Sequence, residues 1–126
     1  MQKVVIVDFV DFNNNKTYLI TNKLDKMKEI FKPVIHKDID YTGLYEVSNL
    51  GRVRNIKKDK QVNLRDLNDR YHAVYLIKGG VTVSSTVHVL VYEAFKSKKK
   101  DGYCIAHKDG NDKNNNLKNL VEKNRR

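Results

Sequence analysis

The chain has one cysteine, one proline and no tryptophan in 126 residues. A lone Cys104 excludes a disulfide framework and any zinc site built from cysteine thiolates. It lies in a short apolar run, where a thiol packs as a small core side chain, and the lack of disulfides fits a reducing cytoplasm. No stretch approaches the roughly 20 apolar residues of a membrane span. The apolar run at residues 4–10 is broken by Asp8 and has no small-residue cleavage site, so it reads as a strand and not as a signal peptide. Acidic residues are also short: 15 Asp+Glu stand against 25 Lys+Arg, for a net charge of +10. That surplus attracts polyanions, of which nucleic acid is the commonest. The length bounds the chain at one domain, or two very small modules sharing a core. Abundant Asn and Lys suit an AT-rich coding sequence, as in a phage or a low-GC bacterium.

β-Branched and aromatic runs at residues 3–10 and 16–21 flank Asn13-Asn14-Asn15 and predict a hairpin. Asn22 can cap a helix over 23–31, with Leu24, Met27, Ile30 and Phe31 on its buried face and Pro33 ending it. Two short strands, 44–47 and 52–56, flank a Ser-Asn-Leu-Gly turn in which Gly51 can take positive φ. A second hairpin, 71–78 and 81–87, turns at Gly79-Gly80. Residues 88–95 then predict an amphipathic helix with Leu90, Val91, Ala94 and Phe95 inward.

Residues 104–120 carry the most chemical information. A histidine, His107, leaves the apolar run and enters an Asp109-Gly110-Asn111 turn; an Asn-rich loop and Asn119-Leu120 follow. This stretch resembles the central motif of HNH endonucleases of the phage and homing type. Residues 43–53 read Gly-Leu-Tyr-Glu-Val-Ser-Asn-Leu-Gly-Arg-Val, similar nearly letter for letter to the DNA-binding module beside such nucleases. The Ile-Phe-Lys-Pro-Val run at 30–34 and the Val-His-Val-Leu-Val-Tyr-Glu-Ala-Phe run at 87–95 resemble further parts of the same family. The likeness covers roughly residues 30–120.

The resemblance implies an α+β fold: short antiparallel β-hairpins, two or three helices and a truncated ββα-metal unit at the C-terminus. Three regions follow: residues 1–32, a hairpin plus helix of unknown role; 33–60, the DNA-binding module; and 61–126, the HNH-like domain. It also implies roles. His107 is the general base, suited by the ordinary imidazole pKa near 6.5. Asn119 fastens the loop to the histidine strand, and Asp109, Gly110 and Asn111 shape the loop. The cofactor is Mg²⁺ or Mn²⁺, but the position before the histidine, normally an Asp or Asn ligand, holds Ala106, which offers no oxygen. The second ligand is expected on a helix past Arg126, which leaves Asn124 and Asp112 as the substitutes to examine. His88 reads as a helix-start or packing residue, and His36 and His72 have no motif around them.

The expected partner is double-stranded DNA. Asn49, Arg52 and Arg54 are candidates for base contacts, and Lys57, Lys58, Lys60, Lys98, Lys99 and Lys100 for phosphate contacts, which would make binding salt-dependent. Three functions remain open, so the sequence does not decide whether the chain is an enzyme. One is a DNA-binding protein whose cleavage is weak or lost. Another is an active Mg²⁺- or Mn²⁺-dependent nicking endonuclease. The third is a non-enzymatic inhibitor that binds a host protein or a protein–nucleic-acid complex. The expected location is the cytoplasm, that of a bacterial host if a phage encodes the chain.

Overall fold

The structure, a computed structural model, describes residues 28–125. In chain order these form β1 (Phe31–Pro33), β2 (Ile35–His36), β3 (Ile39–Asp40), β4 (Tyr45–Ser48), β5 (Val53–Asn55), β6 (Lys60–Gln61), β7 (Arg65–Leu67), β8 (Tyr71–Lys78) and β9 (Val81–Thr86). Helix α1 (Val87–Phe95), β10 (Tyr103–His107), a 3₁₀ turn (Leu117–Asn119) and β11 (Leu120–Asn124) complete them. The strands build four antiparallel sheets, ordered β1-β4-β5-β6, β2-β3, β7-β8-β9 and β10-β11.

Period-2 patterning explains which face of each sheet turns inward. In β8, Val74 and Leu76 are fully buried while Tyr75 and Ile77 stand outside; in β4, Tyr45 and Val47 are buried. Gly79 and Gly80 both take positive φ between β8 and β9, as a two-residue type I′ turn requires. The tight turn sets the register Lys78↔Val81 through Ala73↔Thr86. Helix α1 follows β9 directly. Its Val87, Leu90 and Val91, spaced i, i+3, i+4, are at most 1% exposed and meet Val34, Val47, Val53, Ile105 and Leu120 in one apolar cluster. Ala94 and Phe95, also expected inward, are half-buried against that cluster. The helix therefore ties together sheets that are each too small to bury a face alone.

Several expectations need correction. The 3–21 hairpin and most of the 23–31 helix lie outside the described residues. Of that helix, residues 28–30 are irregular, Ile30 is 47% exposed, and Phe31 lies in β1 opposite Ser48. Pairing with β4 overrides the helical spacing, and Pro33 is tolerated because β1 is an edge strand. Among the described residues there is one α-helix and one 3₁₀ turn, where two or three helices were expected. The boundaries expected at 32/33 and 60/61 fall inside β1 and β6. One sheet therefore runs across both. No helix among the described residues is long and apolar enough to cross a membrane.

Candidate active site

Strand β10 delivers His107 at its last position, paired with Leu120 across the β10-β11 hairpin. The long loop between those strands is stitched by its own amides. Asp109 Oδ1 accepts from Asn111 N (2.8 Å) and Asn119 Nδ2 (2.9 Å), and its Oδ2 accepts from Asn114 Nδ2 (2.9 Å). Asn119 Oδ1 accepts from Asp109 N (3.0 Å), while Asn119 Nδ2 also donates to Asn114 O (2.9 Å). Asn111 and Asn116 each accept from the backbone two residues on. These are Asx turns, and they give the asparagine run a physical reason. Bonds from Asn114, Asn111 and Asn119, largest first, hold the Asp109 carboxyl below the usual carboxylate range. Gly110 takes positive φ at the loop's first turn.

The His107 imidazole is only 3% exposed and touches partners on every side. Its Nε2 lies 2.8 Å from Asn115 Oδ1. An amide oxygen only accepts, so Nε2 carries the proton and donates it to Asn115. Nδ1 keeps its lone pair and faces Asp112 Oδ1 at 3.5 Å. Arg70 Nε donates to Asp112 Oδ2 at 2.7 Å, and this bond is the main reason the Asp112 pKa is lowered, against the opposing effect of burial. A negative Asp112 then stands ready to stabilise an imidazolium at His107.

Two rings close the other side. Tyr71 lies near-parallel to His107 (6.4 Å between centroids, 24°), and His88 packs at 5.1 Å from Tyr71 and 4.8 Å from His107. The Arg70 guanidinium lies over the Tyr71 ring at 4.8 Å. His88 is buried in the first turn of α1, and its Nδ1 has no hydrogen-bond partner. Burial first, then electrostatic repulsion between its protonated form and the neighbouring His107 ring, lowers its pKa to about 4, with Asp112 opposing. It is therefore neutral at pH 7.

Arg70, Tyr71, His88 and Asn115 thus join His107 and Asp112, and no sequence motif announces that company. The sequence marks His88 by its helix-start position inside the 87–95 run that resembles the family, and not as a neighbour of His107. Asn115 is hidden in a run of three identical residues. His36, which has no motif, is buried and bonded to Glu93 at 2.7 Å, pinning β2 to α1; His72 lies 3.8 Å from Asp66 on the surface.

The metal candidates do not converge. Ala106 presents a methyl group beside His107. Asn124 pairs with Tyr103 at the opposite end of the hairpin, four residues and on the order of 13 Å along the strand from His107. Asp112 is engaged by Arg70. Among the described residues no group of three or more His, Cys, Asp or Glu is placed to hold a metal ion. Hard divalent cations need several oxygens, and this donor set does not fit one.

The nucleic-acid candidates are also largely committed inside the molecule. Asn49 accepts from Ile30 N (2.8 Å) and donates to Lys28 O (3.0 Å). Arg52 makes a two-pronged ion pair with Glu29, whose carboxyl pKa it lowers. Arg54 pairs with Glu46 and lies over the Phe31 ring. Lys98 pairs with Asp38, Lys99 bonds to backbone carbonyls, and Lys100 approaches Glu122. Lys57, Lys58 and Lys60 are exposed, and Lys57 and Lys58 line a cleft of about 340 Å³ together with Lys78, over Leu44, Tyr45 and Ile77.

Residues 29–77 match the NUMOD4 motif and residues 85–126 match the HNH endonuclease family. The chain is 42% identical over 85 residues to DNA endonuclease I-HmuI of Bacillus phage SP01, covering 67% of this chain and 49% of that protein. It is 36% identical over 76 residues to an uncharacterised HNH endonuclease of Acanthamoeba polyphaga mimivirus, covering 60% of this chain and 23% of that one. A solved structure described as DNA binding and cleavage by the HNH homing endonuclease I-HmuI superposes with a TM-score of 0.63 at 36% identity. The match covers 76% of this chain and 52% of that one. The chain thus spans about half of I-HmuI and less of the mimivirus protein. With both matched segments in sequence order and the fold shared, the chain belongs to the HNH endonuclease family of the phage and homing type.

Proposed function

We propose that this chain binds double-stranded DNA and that its phosphodiester cleavage is weak or lost. The observation that carries this reading is Ala106, a methyl group at the place beside His107 where the family resemblance calls for an oxygen ligand. The remaining carboxylates nearby do not compensate: Asp109 is bound into the loop and Asp112 into its pair with Arg70. Binding is supported by the net charge of +10 and by the cleft lined by Lys57, Lys58 and Lys78, whose ammonium groups suit backbone phosphates. Asn49, Arg52 and Arg54 act first as internal braces under this reading.

A second reading, an active Mg²⁺- or Mn²⁺-dependent nickase, draws on the geometry of His107. Asn115 directs its lone pair to Nδ1, and the Arg70-paired Asp112 lies close enough to stabilise the protonated ring, as a general base requires.

Nicking of supercoiled plasmid with Mg²⁺ or Mn²⁺ separates the two. At most a trace of nicking is expected from the wild type, with a gain in Ala106→Asp and loss of that gain in EDTA or with His107→Ala. Robust wild-type nicking that disappears with EDTA and with His107→Ala would overturn the proposal in favour of the nickase. DNA binding at low salt is expected for all the variants.

A further inference from the structure

The sharp turn of residues 48–51, inside the NUMOD4 segment, is packed against the loop that holds His107. Asn49 O accepts from Leu117 N at 2.8 Å, joining the turn to the end of that loop. Gly51, at φ +91°, lies so close that a Cβ would sit 2.9 Å from Asn115 Cβ and 3.3 Å from Asn115 O. Only glycine fits both the conformation and the space. Asn115 is itself 4% exposed, and its Oδ1 accepts the proton of His107 Nε2. The turn has its own scaffold. Ser48, fully buried, accepts at Oγ from Leu50 N (3.2 Å) and Arg52 N (3.1 Å), and Gly51 N donates to Ser48 O at 3.1 Å.

We propose that this turn is a positioning element for His107: Gly51 seats Asn115, and Asn115 selects the Nε2–H tautomer that leaves Nδ1 free to accept a proton. The alternative tautomer would direct Nδ1–H to Asp112 Oδ1. At 3.5 Å that distance is too long for a strong hydrogen bond, whereas the 2.8 Å to Asn115 makes a good one. Gly51 and Asn115 are positioning residues, because they act through the imidazole and not on a substrate. The segment resembling a DNA-binding module would then also set the proton chemistry of the adjoining domain. The histidine is the one in the proposed function, but the readout below needs neither metal nor cleavage, so the two can fail independently.

The test is long-range ¹H–¹⁵N correlation of the histidine rings in the whole, metal-free chain near pH 8, above the ordinary histidine range of about 6.5. His36 and His72 serve as internal controls. The wild type is expected to show His107 as a single Nε2–H tautomer. Asn115→Ala should convert it to a mixture, while Asn115→Asp, which keeps an accepting oxygen, should retain the single form. Gly51→Ala should produce a mixture with the His36 and His72 signals unmoved. Should Gly51→Ala fail to fold, Ser48→Ala, which loosens the same turn and keeps the glycine, decides in its place. Three results would each overturn the inference: an Nδ1–H wild type, a single Nε2–H form persisting in Asn115→Ala, or a folded turn variant with the His107 tautomer unchanged.

Discussion

Burial against Tyr71 and His107 holds the His88 pKa down to about 4, well under the ordinary histidine value of 6.5. In an unfolded chain the same ring takes up a proton as pH falls through about 6.5, while the folded ring stays neutral until about 4. Unfolded molecules therefore bind more protons across that window, and stability decreases as pH drops through it, by on the order of 3 kcal/mol in total. Asp109 and Asp112, both lowered by their partners, add a further loss only below about pH 4. Urea unfolding from neutral pH down to about 4.5 should show this loss in the wild type. His88→Phe keeps the ring packing without the titration, and should flatten the profile over that range. An equally steep profile in His88→Phe would place the acid sensitivity elsewhere. At this scale His107 was legible because a motif surrounds it. Its partners were not, because a tyrosine, an arginine and one of three adjacent asparagines carry no signal until the chain folds.

The loop between β10 and β11 concentrates its stability in one amide. Asn119 makes three bonds across the loop, so Asn119→Ala removes them and strands Asp109 N and Asn114 O. The expected cost is about 2–3 kcal/mol, read from the denaturant midpoint. Asn111→Ala, which loses one exposed bond to Lys113 N, should cost less than about 1 kcal/mol. Comparable costs for the two would show that Asn119 is not the fastening point. Among elements, the hairpins were legible from alternation plus glycine: β4-β5 and β8-β9 match the expected strands to within a residue or two. α1 was legible from its 3.6-residue spacing. The end of the 23–31 helix was not, because Phe31 takes its conformation from pairing with Ser48, a partner seventeen positions away.

Across the whole molecule, positive charge is spread widely but not left equally free. Lys98 and Arg52 have carboxylate partners and Lys78 Nζ donates to Asp40 O at 2.6 Å, whereas Lys57, Lys58 and Lys60 stand exposed beside the cleft. Substituting Lys57, Lys58 and Lys60 by Gln should weaken DNA binding at moderate salt. It should also lower the slope of log affinity against log salt by about 3, because each lysine that neutralises a phosphate displaces roughly one counterion. The same triple change at Lys98, Lys99 and Lys100 should have a smaller effect, since their side chains already serve internal bonds. The reverse ranking, measured by fluorescence anisotropy over a salt series, would move the DNA face to the Lys98–Lys100 side.

The sequence by itself determined the family, the antiparallel hairpins, the helix over 88–95 to within one residue, and the place of His107, because motif spacing and hydrophobic period are local properties of the chain. It also placed an alanine at position 106, where the family resemblance calls for an oxygen ligand, which is a matter of side-chain type alone. Tertiary structure decided what surrounds the histidine. The turn of residues 48–51 reaches His107 through Asn115, Arg70 reaches it through Asp112, and His88 at the start of α1 packs on its ring. These segments lie up to 59 positions away, and a shared core around α1 brings them together. Tertiary structure also decided which basic residues are free for a partner, because an ion pair such as Arg52–Glu29 exists only once the pairing of β1, β4 and β5 has brought together the segments that precede β1 and β5.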